Sequence, residues 1–326
     1  MFLYNLSKLT LISLSGTLDF LDEISPKLLM FCGKGGVGKT TMSITSAFHF
    51  AKKGKKTLII SSDPSPSLSD ILELDVMGKI TSIESVPNLS AVELDYDDII
   101  ELWKKRYGNE VYEVISSFLP VDYDIIDYVA NAPGIDSEFA LSYIYDIYKS
   151  ESYDVIVWDM APAGGALSLI SLQEKFYEHL GKAAKLYLKV QYNLNKLKGN
   201  KSRDPLRLIM EWKTLSRNVL NMLKNSGSKA IIITIPEGLG VKQTYRIVSN
   251  FIKYDIDIIC IIINYLIKNG NESDLLANRL AMQIKYVKEI SDYYKEKMPI
   301  VTAPLFPYEI KGIDSIWKME NELFSP

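Results

Sequence analysis

The chain has 326 residues, 47% of them hydrophobic and 24% charged, a composition that allows a soluble globular protein with a sizeable core. Its formal net charge of −3 provides no global attraction to nucleic acid or to an anionic membrane, so we expect no nucleic-acid partner. The two cysteines, Cys32 and Cys260, lie in apolar runs and form no Cys-x-x-Cys pair. This favours buried thiols in a reducing, cytoplasmic compartment over a zinc or redox site.

Residues 1–26 are interpreted as an N-terminal extension. Residues 1–21 are apolar enough to suggest a signal peptide, but Lys8 interrupts the run, Asp19 comes soon after it, and no small-x-small cleavage site is obvious. We therefore favour an additional packed segment or a start codon placed too early. No later run reaches about 18 apolar residues, so no membrane span is predicted.

Short apolar runs alternate with helical patterns through the rest of the chain. The runs predict strands at 28–32, 57–61, 89–94, 153–158, 229–235, 256–263 and 299–303. Because they are apolar throughout, they are typical of strands buried on both faces in a parallel sheet that helices cover. The predicted fold class is therefore α/β, with a doubly wound, mainly parallel sheet.

Two segments, from about 97 to 150 and from 167 to 226, show helical periodicity and no convincing strand. In the second, Phe176, Leu180 and Tyr187 fall on one helical face, and Trp212 and Val219 lie on a further helix. We interpret the two segments as a helical subdomain inserted into one larger α/β domain that spans 27–326.

The strongest signal is a glycine-rich loop after the first predicted strand. It satisfies G-x-x-x-x-G-K-[ST] between a strand and a helix, as a phosphate-binding loop requires. Its residues are Gly33, Lys34, Gly35, Gly36, Val37, Gly38, Lys39, Thr40 and Thr41. Glycines let backbone N–H groups approach phosphate oxygens, and the following helix adds the positive end of its dipole. We expect Lys39 to reach the β- and γ-phosphates of ATP and the Thr40 hydroxyl to bind Mg²⁺.

Two acids stand where predicted strands end. Asp63 follows strand 57–61 within S-D-P-S-P-S-L-S-D, and Asp159 follows strand 153–158 within D-M-A-P-A-G-G. Ligands of doubly wound folds bind at the carboxyl ends of the strands, where an acid can hold a water of Mg²⁺ or orient the attacking water. The glycines and prolines that follow give loops that can change shape when the γ-phosphate leaves. A helix N-cap or turn acid is the alternative for either aspartate.

These motifs resemble those of the arsenite-pump and tail-anchored-protein-targeting ATPases, whose two switches read D-P-A-H-S-L-S-D and D-T-A-P-T-G-H. Further matches follow in the same order: Pro133 to Asp136, Ile235 to Glu237, Gln243 to Arg246, Ile263 with Asn264, and Pro304 to Gly312. The similarity runs from about residue 28 to 320.

The resemblance implies roles for individual residues. Asp63 would position or activate the hydrolytic water, and Asp159 would support Mg²⁺. Asn264 would read the adenine edge, and Pro304 would lie in a loop beside the base. A plain turn residue is the alternative for Asn264.

Lys34 gives the phosphate loop a second lysine. This resembles the loop of a group of dimeric ATPases, in which the extra lysine reaches the nucleotide of the facing subunit. The resemblance implies that Lys34 and Lys39 are both catalytic and that the protein is a homodimer with ATP at its interface. A solvated surface lysine is the alternative for Lys34.

The sequence departs from both branches of that family. The targeting branch carries a Cys-x-x-Cys zinc pair, whereas here Ser273 and Leu276 occupy the corresponding positions, so no zinc is expected. The pump branch is a fused double-length chain with metalloid-binding cysteines, whereas this chain is single-length. The switch histidines are replaced by Pro66 and Gly165, which leaves both acids in place.

The resulting hypothesis is a cytoplasmic ATPase dimer that closes on ATP, opens after hydrolysis, and so holds and releases a protein client. The family-level expectation is a client with a hydrophobic transmembrane segment, with a membrane receptor as a further partner and a peripheral membrane location left open. One alternative is a subunit that energises an arsenite, antimonite or other ion pump. Another is a positioning ATPase on membrane or DNA, against which the short acidic end from Trp317 to Phe324 argues.

Overall fold

The computed structural model describes residues 17–63, 65, 67–116, 120–131, 135–162, 175, 177–178, 181–182, 205–268 and 273–324. The chain divides into two compact units. The first, here called the sheet unit, comprises Met1–Glu93, Glu151–Leu167 and Ser226–Pro326, and the helical unit comprises Leu94–Ser150 and Ser168–Asn225. The domain boundaries expected from the sequence stay a proposal, because compactness alone does not establish an independently folding domain.

Within the described residues, helices and strands mostly alternate along the chain. They begin with α1 (Phe20–Ile24), β1 (Leu28–Gly33), α2 (Lys39–Lys52), β2 (Thr57–Ser61), α3 (Ser67–Leu72), β3 (Thr81–Ser82) and β4 (Leu89–Glu93). Three helices come next: α4 (Tyr96–Ser116), α5 (Ile125–Ala130) and α6 (Ile135–Ser150). The remaining elements are β5 (Val155–Asp159), α7 (Pro205–Lys224), β6 (Ser228–Thr234), α8 (Gly238–Lys253), β7 (Ile258–Leu266), α9 (Asp274–Tyr294), β8 (Ile300–Pro304) and α10 (Ile313–Leu323).

The described strands form one sheet in the order β3-β4-β2-β5-β1-β6-β7-β8. All neighbours are parallel except β3 and β4, which pair antiparallel. Every residue of β1, β2 and β5 is buried, so both faces of the sheet are covered at its centre. This explains why the corresponding runs are apolar without alternation. The predicted α/β, doubly wound, mainly parallel class is confirmed.

The residues just before β1 pack into the core of the sheet unit. Leu18 and Leu21 are fully buried, and the Leu18 N–H donates to the carbonyl of Leu323 over 2.7 Å. Leu18, Phe20 and Leu21 of the segment interpreted as an extension therefore pack in the core, and residues 1–16 lie outside the described residues.

A buried histidine connects α2 to α1 and α10. His49 lies with Nε2 3.0 Å from Asp22 Oδ1 of α1 and Nδ1 2.8 Å from Glu320 Oε1 of α10. Its ring stacks on Phe324 with centroids 3.6 Å apart. Because α2 follows the glycine-rich loop directly, these contacts hold the helix that carries the loop.

The helical unit has its own core, which contains Trp103, Val111, Ile126, Ala130 and Leu208. Trp212 packs against this core and Val219 is fully buried, both on α7. The other members of the predicted helical face, Phe176, Leu180 and Tyr187, lie outside the described residues, as do Pro133 and Gly134. In the part of the chain that the structure describes, no helix combines the length and the apolar character needed to cross a bilayer.

Candidate nucleotide-binding site

The glycine-rich loop connects β1 to α2 and takes a shape that depends on its glycines. A Cβ on Gly33 would come within 2.4 Å of the Ile233 carbonyl oxygen on β6, so only glycine lets β1 end at this point. Gly36 and Gly38 have φ angles of +77° and +88°, in the left-handed region that glycine adopts at no steric cost. Gly35 has no heavy atom within 4 Å of an added Cβ and is exposed.

The charged residues of the loop differ in their exposure. Lys39 is the first residue of α2 and is only 6% exposed, whereas Lys34 is half-buried. Val37 is buried in the main core, and Thr41 is half-buried. A buried ammonium at the start of a helix places positive charge where the N–H groups of the first turn also point outward, an arrangement suited to phosphate.

Asp159 is the last residue of β5, and the strand order places it beside the loop. Since β5 lies between β2 and β1, Asp159 is in register with Ser61 on one side and with Phe31 on the other. Its Oδ2 accepts a hydrogen bond of 2.7 Å from Thr40 Oγ1 and one of 3.4 Å from Ser61 Oγ. Among the described residues, its fully buried Oδ1 has no hydrogen-bond partner.

The environment of Asp159 favours its neutral form. Burial raises the pKa of this carboxyl from 3.8 to about 7, and the charge of Asp63 adds to the increase. The Thr40 hydrogen bond and the Lys39 ammonium lower the pKa without cancelling the effect of burial. Without a further cation, the site therefore favours the protonated carboxyl up to a much higher pH than an exposed aspartate would allow.

Asp63 lies just beyond β2, at a less buried position than Asp159. Its Oδ1 accepts hydrogen bonds from the Ser65 backbone N–H at 3.1 Å and the Ser65 hydroxyl at 2.7 Å, which closes a local turn. Its own N–H donates to Ser61 Oγ at 3.4 Å. The structure thus brings both acids to neighbouring strand ends, as expected for a doubly wound sheet, whereas Pro64 and Pro66 lie outside the described residues.

Two serines to which the sequence assigned no role connect the loop that carries Asp63 with the end of β5 and with Thr40. The Ser62 N–H donates to the Asp159 carbonyl at 3.0 Å, and Ser62 Oγ accepts from Trp158 Nε1 at 2.9 Å. Ser67, at the start of α3, has its Oγ 3.3 Å from Thr40 Oγ1. The repeated serines after β2 were a signal for this network, but only the folded sheet shows which of them face Thr40 and Asp159. Gly164 and Gly165 of the second loop lie outside the described residues.

Asn264 lies beside the loop at the end of β7 and is 2% exposed. Its Nδ2 donates to the Val37 carbonyl at 2.9 Å, and its Oδ1 accepts from the Tyr265 N–H at 2.8 Å. Asn264 also lines a cavity of about 240 Å³ together with Thr41 and Pro304. The structure therefore brings these predicted residues to one cavity, and it also shows that Asn264 supports the loop backbone.

The two positions compared with a zinc pair lie at the start of α9. Ser273 is the N-cap of this helix, and its hydroxyl accepts from the Leu276 N–H at 3.3 Å. In the described part of the chain, no group of three or more His, Cys, Asp and Glu side chains is arranged to hold a metal ion. The absence of zinc stays a prediction, and the capping bond gives Ser273 a structural role of its own.

Comparison with known proteins places the chain in a family. The sequence profile of the anion-transporting ATPases matches residues 26–325. The chain is 30% identical over 322 residues to ATPase ASNA1 homolog 2 of Paramecium tetraurelia, and the aligned region covers 94% of this chain and 96% of that protein. It is also 30% identical over 326 residues to ATPase GET3 of Ajellomyces dermatitidis, with an aligned region that covers 96% of this chain and 95% of that relative. The chain therefore belongs to the anion-transporting ATPase family and is an ATP-binding, ATP-hydrolysing enzyme.

Proposed function

We propose that this ATPase works as a homodimer that binds ATP with Mg²⁺ on the glycine-rich loop and couples hydrolysis to the holding and release of a protein client. The observation that carries the proposal is the 2.7 Å hydrogen bond between Thr40 and Asp159, which joins the start of α2, beside the buried Lys39, to the end of β5. A hydroxyl, a carboxylate and an ammonium at that point match the charges of a magnesium-bound triphosphate.

The donor set fits Mg²⁺. Hydroxyl and carboxylate oxygens are the ligands that this ion prefers, and the unpartnered Oδ1 of Asp159 offers a buried acceptor for a metal-bound water. Thr40 would contribute its hydroxyl, and Asp159 would act in its deprotonated form. When bound, the ion would neutralise charge on the phosphates.

The protein groups would divide the chemistry of hydrolysis. Lys39 would contact the β- and γ-phosphates, and Asp63 would orient the attacking water. The two hydrogen bonds from Ser65 to Asp63 support this role, because they hold its carboxylate in one direction while the side chain remains partly exposed. Asn264 would read the adenine with the N–H and the lone pair that remain after its bonds to Val37 and Tyr265.

Exchange of Asp63 for asparagine tests this assignment. Asp63→Asn keeps the size and the acceptor oxygen of the side chain but removes its charge. We expect ATP binding by calorimetry to be retained and steady-state turnover to fall by about 10²-fold or more. A variant with wild-type turnover would remove Asp63 from the mechanism.

Client binding is proposed for the helical unit. Helices α4 and α6 line a cavity of about 640 Å³ whose walls are mostly apolar and aromatic, including Leu102, Trp103, Tyr107, Phe139 and Ile147. Such a surface supports an apolar protein client, and the resemblance to targeting ATPases suggests a transmembrane segment of a tail-anchored protein. A chain with this task would be cytoplasmic and would meet membranes through a receptor.

The client can be identified with the ATP-locked protein. Asp63→Asn would be purified with ATP and Mg²⁺, and co-purifying proteins would be identified by mass spectrometry. Enrichment of single-span membrane proteins, lost in an Asp63→Asn, Leu102→Asp double variant, would support the proposal. The same set of proteins bound to both variants would contradict the assignment of the cavity.

Transport of a metalloid anion is the second candidate, favoured because the chain belongs to the anion-transporting ATPases. The thiols of this chain argue against it, because both are buried and burial raises the pKa of Cys32 to about 12. A strong increase of ATPase activity with arsenite would reverse this preference.

A further inference from the structure

Glu93, the last residue of β4, is a buried acid outside the predicted nucleotide site. It is 1% exposed, and both of its carboxylate oxygens accept hydrogen bonds from the start of α3. Oε1 accepts from the Leu68 N–H at 2.7 Å, and Oε2 accepts from the Ser69 N–H at 3.1 Å and from the Ser69 hydroxyl. These donors lie in the first turn of the helix, where N–H groups have no partner within the helix itself.

The backbone of Glu93 holds the chain that leaves the same helix. Its N–H donates to the Val76 carbonyl at 2.9 Å, and its carbonyl accepts from the Gly78 N–H at 3.0 Å. The Val76 N–H in turn donates to Ser69 Oγ at 3.3 Å. One residue at the end of a buried strand therefore fastens both ends of the segment 67–78.

That segment connects the acidic loop to the cavity beside Asn264. At one end, Ser67 lies 3.3 Å from Thr40 and follows the turn that Asp63 closes. Near the end of α3, Ile71 lines the 240 Å³ cavity, and its carbonyl accepts from the Gly312 N–H at 2.8 Å. Fixing α3 thus fixes one boundary of the Asp63 loop.

We propose that Glu93 is a positioning residue for ATP hydrolysis, which anchors α3 to the sheet and thereby holds Asp63 and Ser67 in place beside Thr40. This inference rests on the hydrolytic role proposed for Asp63. Both carboxylate oxygens of Glu93 accept hydrogen bonds from α3, so we assign it an indirect role and no contact with the nucleotide. The glycine-rich loop and Lys39 lie on other elements, so their hold on the nucleotide does not depend on Glu93.

Three variants test the anchor. Glu93→Ala removes all three acceptor contacts, Glu93→Gln keeps the acceptor for the Leu68 N–H, and Ser69→Ala removes one donor. Leu89→Ala, a truncation at the opposite end of the same buried strand, is the control for loss of stability. For each variant we would measure the melting temperature, the Kd of ATP with Mg²⁺, kcat, and amide hydrogen exchange of peptides from 63–78.

The expected result is a selective loss of turnover. Glu93→Ala should lower kcat by about tenfold to a hundredfold, the cost typical of a misplaced catalytic group, with little change in the Kd of ATP. Exchange within 67–78 should be faster, and Glu93→Gln should lie between Glu93→Ala and the wild type. Ser69→Ala should lower kcat less, and its effect should be smaller in the Glu93→Ala background, where only the contact between the Val76 N–H and Ser69 Oγ remains to be lost. Leu89→Ala should lower the melting temperature while kcat per folded molecule is kept.

Two results would overturn the inference, and they differ from each other. A wild type that turns over ATP, with Glu93→Ala equally active at full folding, would reject Glu93 as a positioning residue alone. A wild type that binds ATP but does not hydrolyse it would reject the proposed hydrolytic site and this inference with it.

Discussion

Asp159 is a buried residue whose surroundings suit the cation proposed to bind beside it. Its carboxyl has no exposed surface, and its acceptor Oδ1 lacks a hydrogen bond within the described residues. A buried unpaired carboxylate is costly, and the protein can avoid that cost by protonation or by binding a positive ion. The raised pKa of Asp159 and the proposed magnesium site are therefore two consequences of the same burial.

The burial of Asp159 should make the free energy of unfolding of the nucleotide-free protein depend on pH. The pKa of Asp159 is about 7 in the folded chain against 3.8 as its ordinary value, so between these values the folded state binds more protons. The stabilisation from the neutral carboxyl is complete below pH 3.8 and is lost as pH rises toward 7. As the pH rises through this range, we expect Asp159→Asn to gain stability relative to the wild type by up to about 1.4 kcal/mol per pH unit. Urea unfolding with EDTA from pH 4.5 to 8 measures it, and a difference that does not change with pH would contradict the assignment.

Gly38 and Gly35 provide a matched pair within the loop. Gly38 has φ +88°, and an added Cβ would lie 2.4 Å from Asn264 Nδ2, which cannot move away without breaking its bond to Val37. Gly38→Ala should lower the free energy of unfolding by about 2 kcal/mol or more, from backbone strain and this clash. Gly35→Ala, with open space around the new methyl group, should cost less than about 1 kcal/mol. Chemical denaturation compares them, and equal losses would show that the described loop shape is not the one in solution.

At the scale of elements, α1 is held by burial although it is only five residues long. Leu21 is fully buried, whereas Ile24 on the same helix is 37% exposed. Leu21→Ala should destabilise the protein by about 3 kcal/mol through the lost burial and the cavity left behind. Ile24→Ala should change stability by less than about 1 kcal/mol. Thermal and urea unfolding distinguish the two, and a neutral Leu21→Ala would mean that residues 17–24 are not part of the core.

Strands were predictable where burial is complete, and less so elsewhere. The expected strand 57–61 matches β2 at both ends, because a run buried on both faces has only apolar residues between polar limits. The two-residue β3 carries no such run, since Thr81 and Ser82 are polar and at least partly exposed. The end of β7 extends to Leu266 beyond the expected 263, where its pairing with β8 shifts register. A shift of this kind depends on the neighbouring strand and leaves no local pattern.

The motifs of the candidate site could be predicted from the sequence, whereas the hydrogen bonds between their residues could not. The chemistry proposed for the glycine-rich loop and for Asp159 limits the residue types at these positions, so both can be found in the sequence. The Thr40–Asp159 hydrogen bond and the hold of Glu93 on α3 join residues more than 20 positions apart. Their geometry follows from the strand order β4-β2-β5-β1, which no local sequence pattern reveals.

At the scale of the whole molecule, the proposed dimer predicts that each nucleotide site receives Lys34 from the facing subunit. This lysine is half-buried at the edge of the loop, whereas Lys39 is buried inside it. If Lys34 acts on the nucleotide of the facing subunit, a site needs Asp63 from one chain and Lys34 from the other. The site is then incomplete in a single copy.

Mixed dimers separate this arrangement from one in which each subunit serves itself. Lys34→Ala and Asp63→Asn chains, each inactive alone, would be co-expressed with different tags and purified through both in the presence of ATP. If Lys34 acts across a symmetric interface, the mixed dimer contains one intact site and should recover about half of the wild-type turnover. If Lys34 acts within its own subunit, both sites lack an essential group and activity stays at background. Failure of the two tags to co-purify would contradict the dimer itself, because in a monomer Lys34 cannot reach the nucleotide of a second chain.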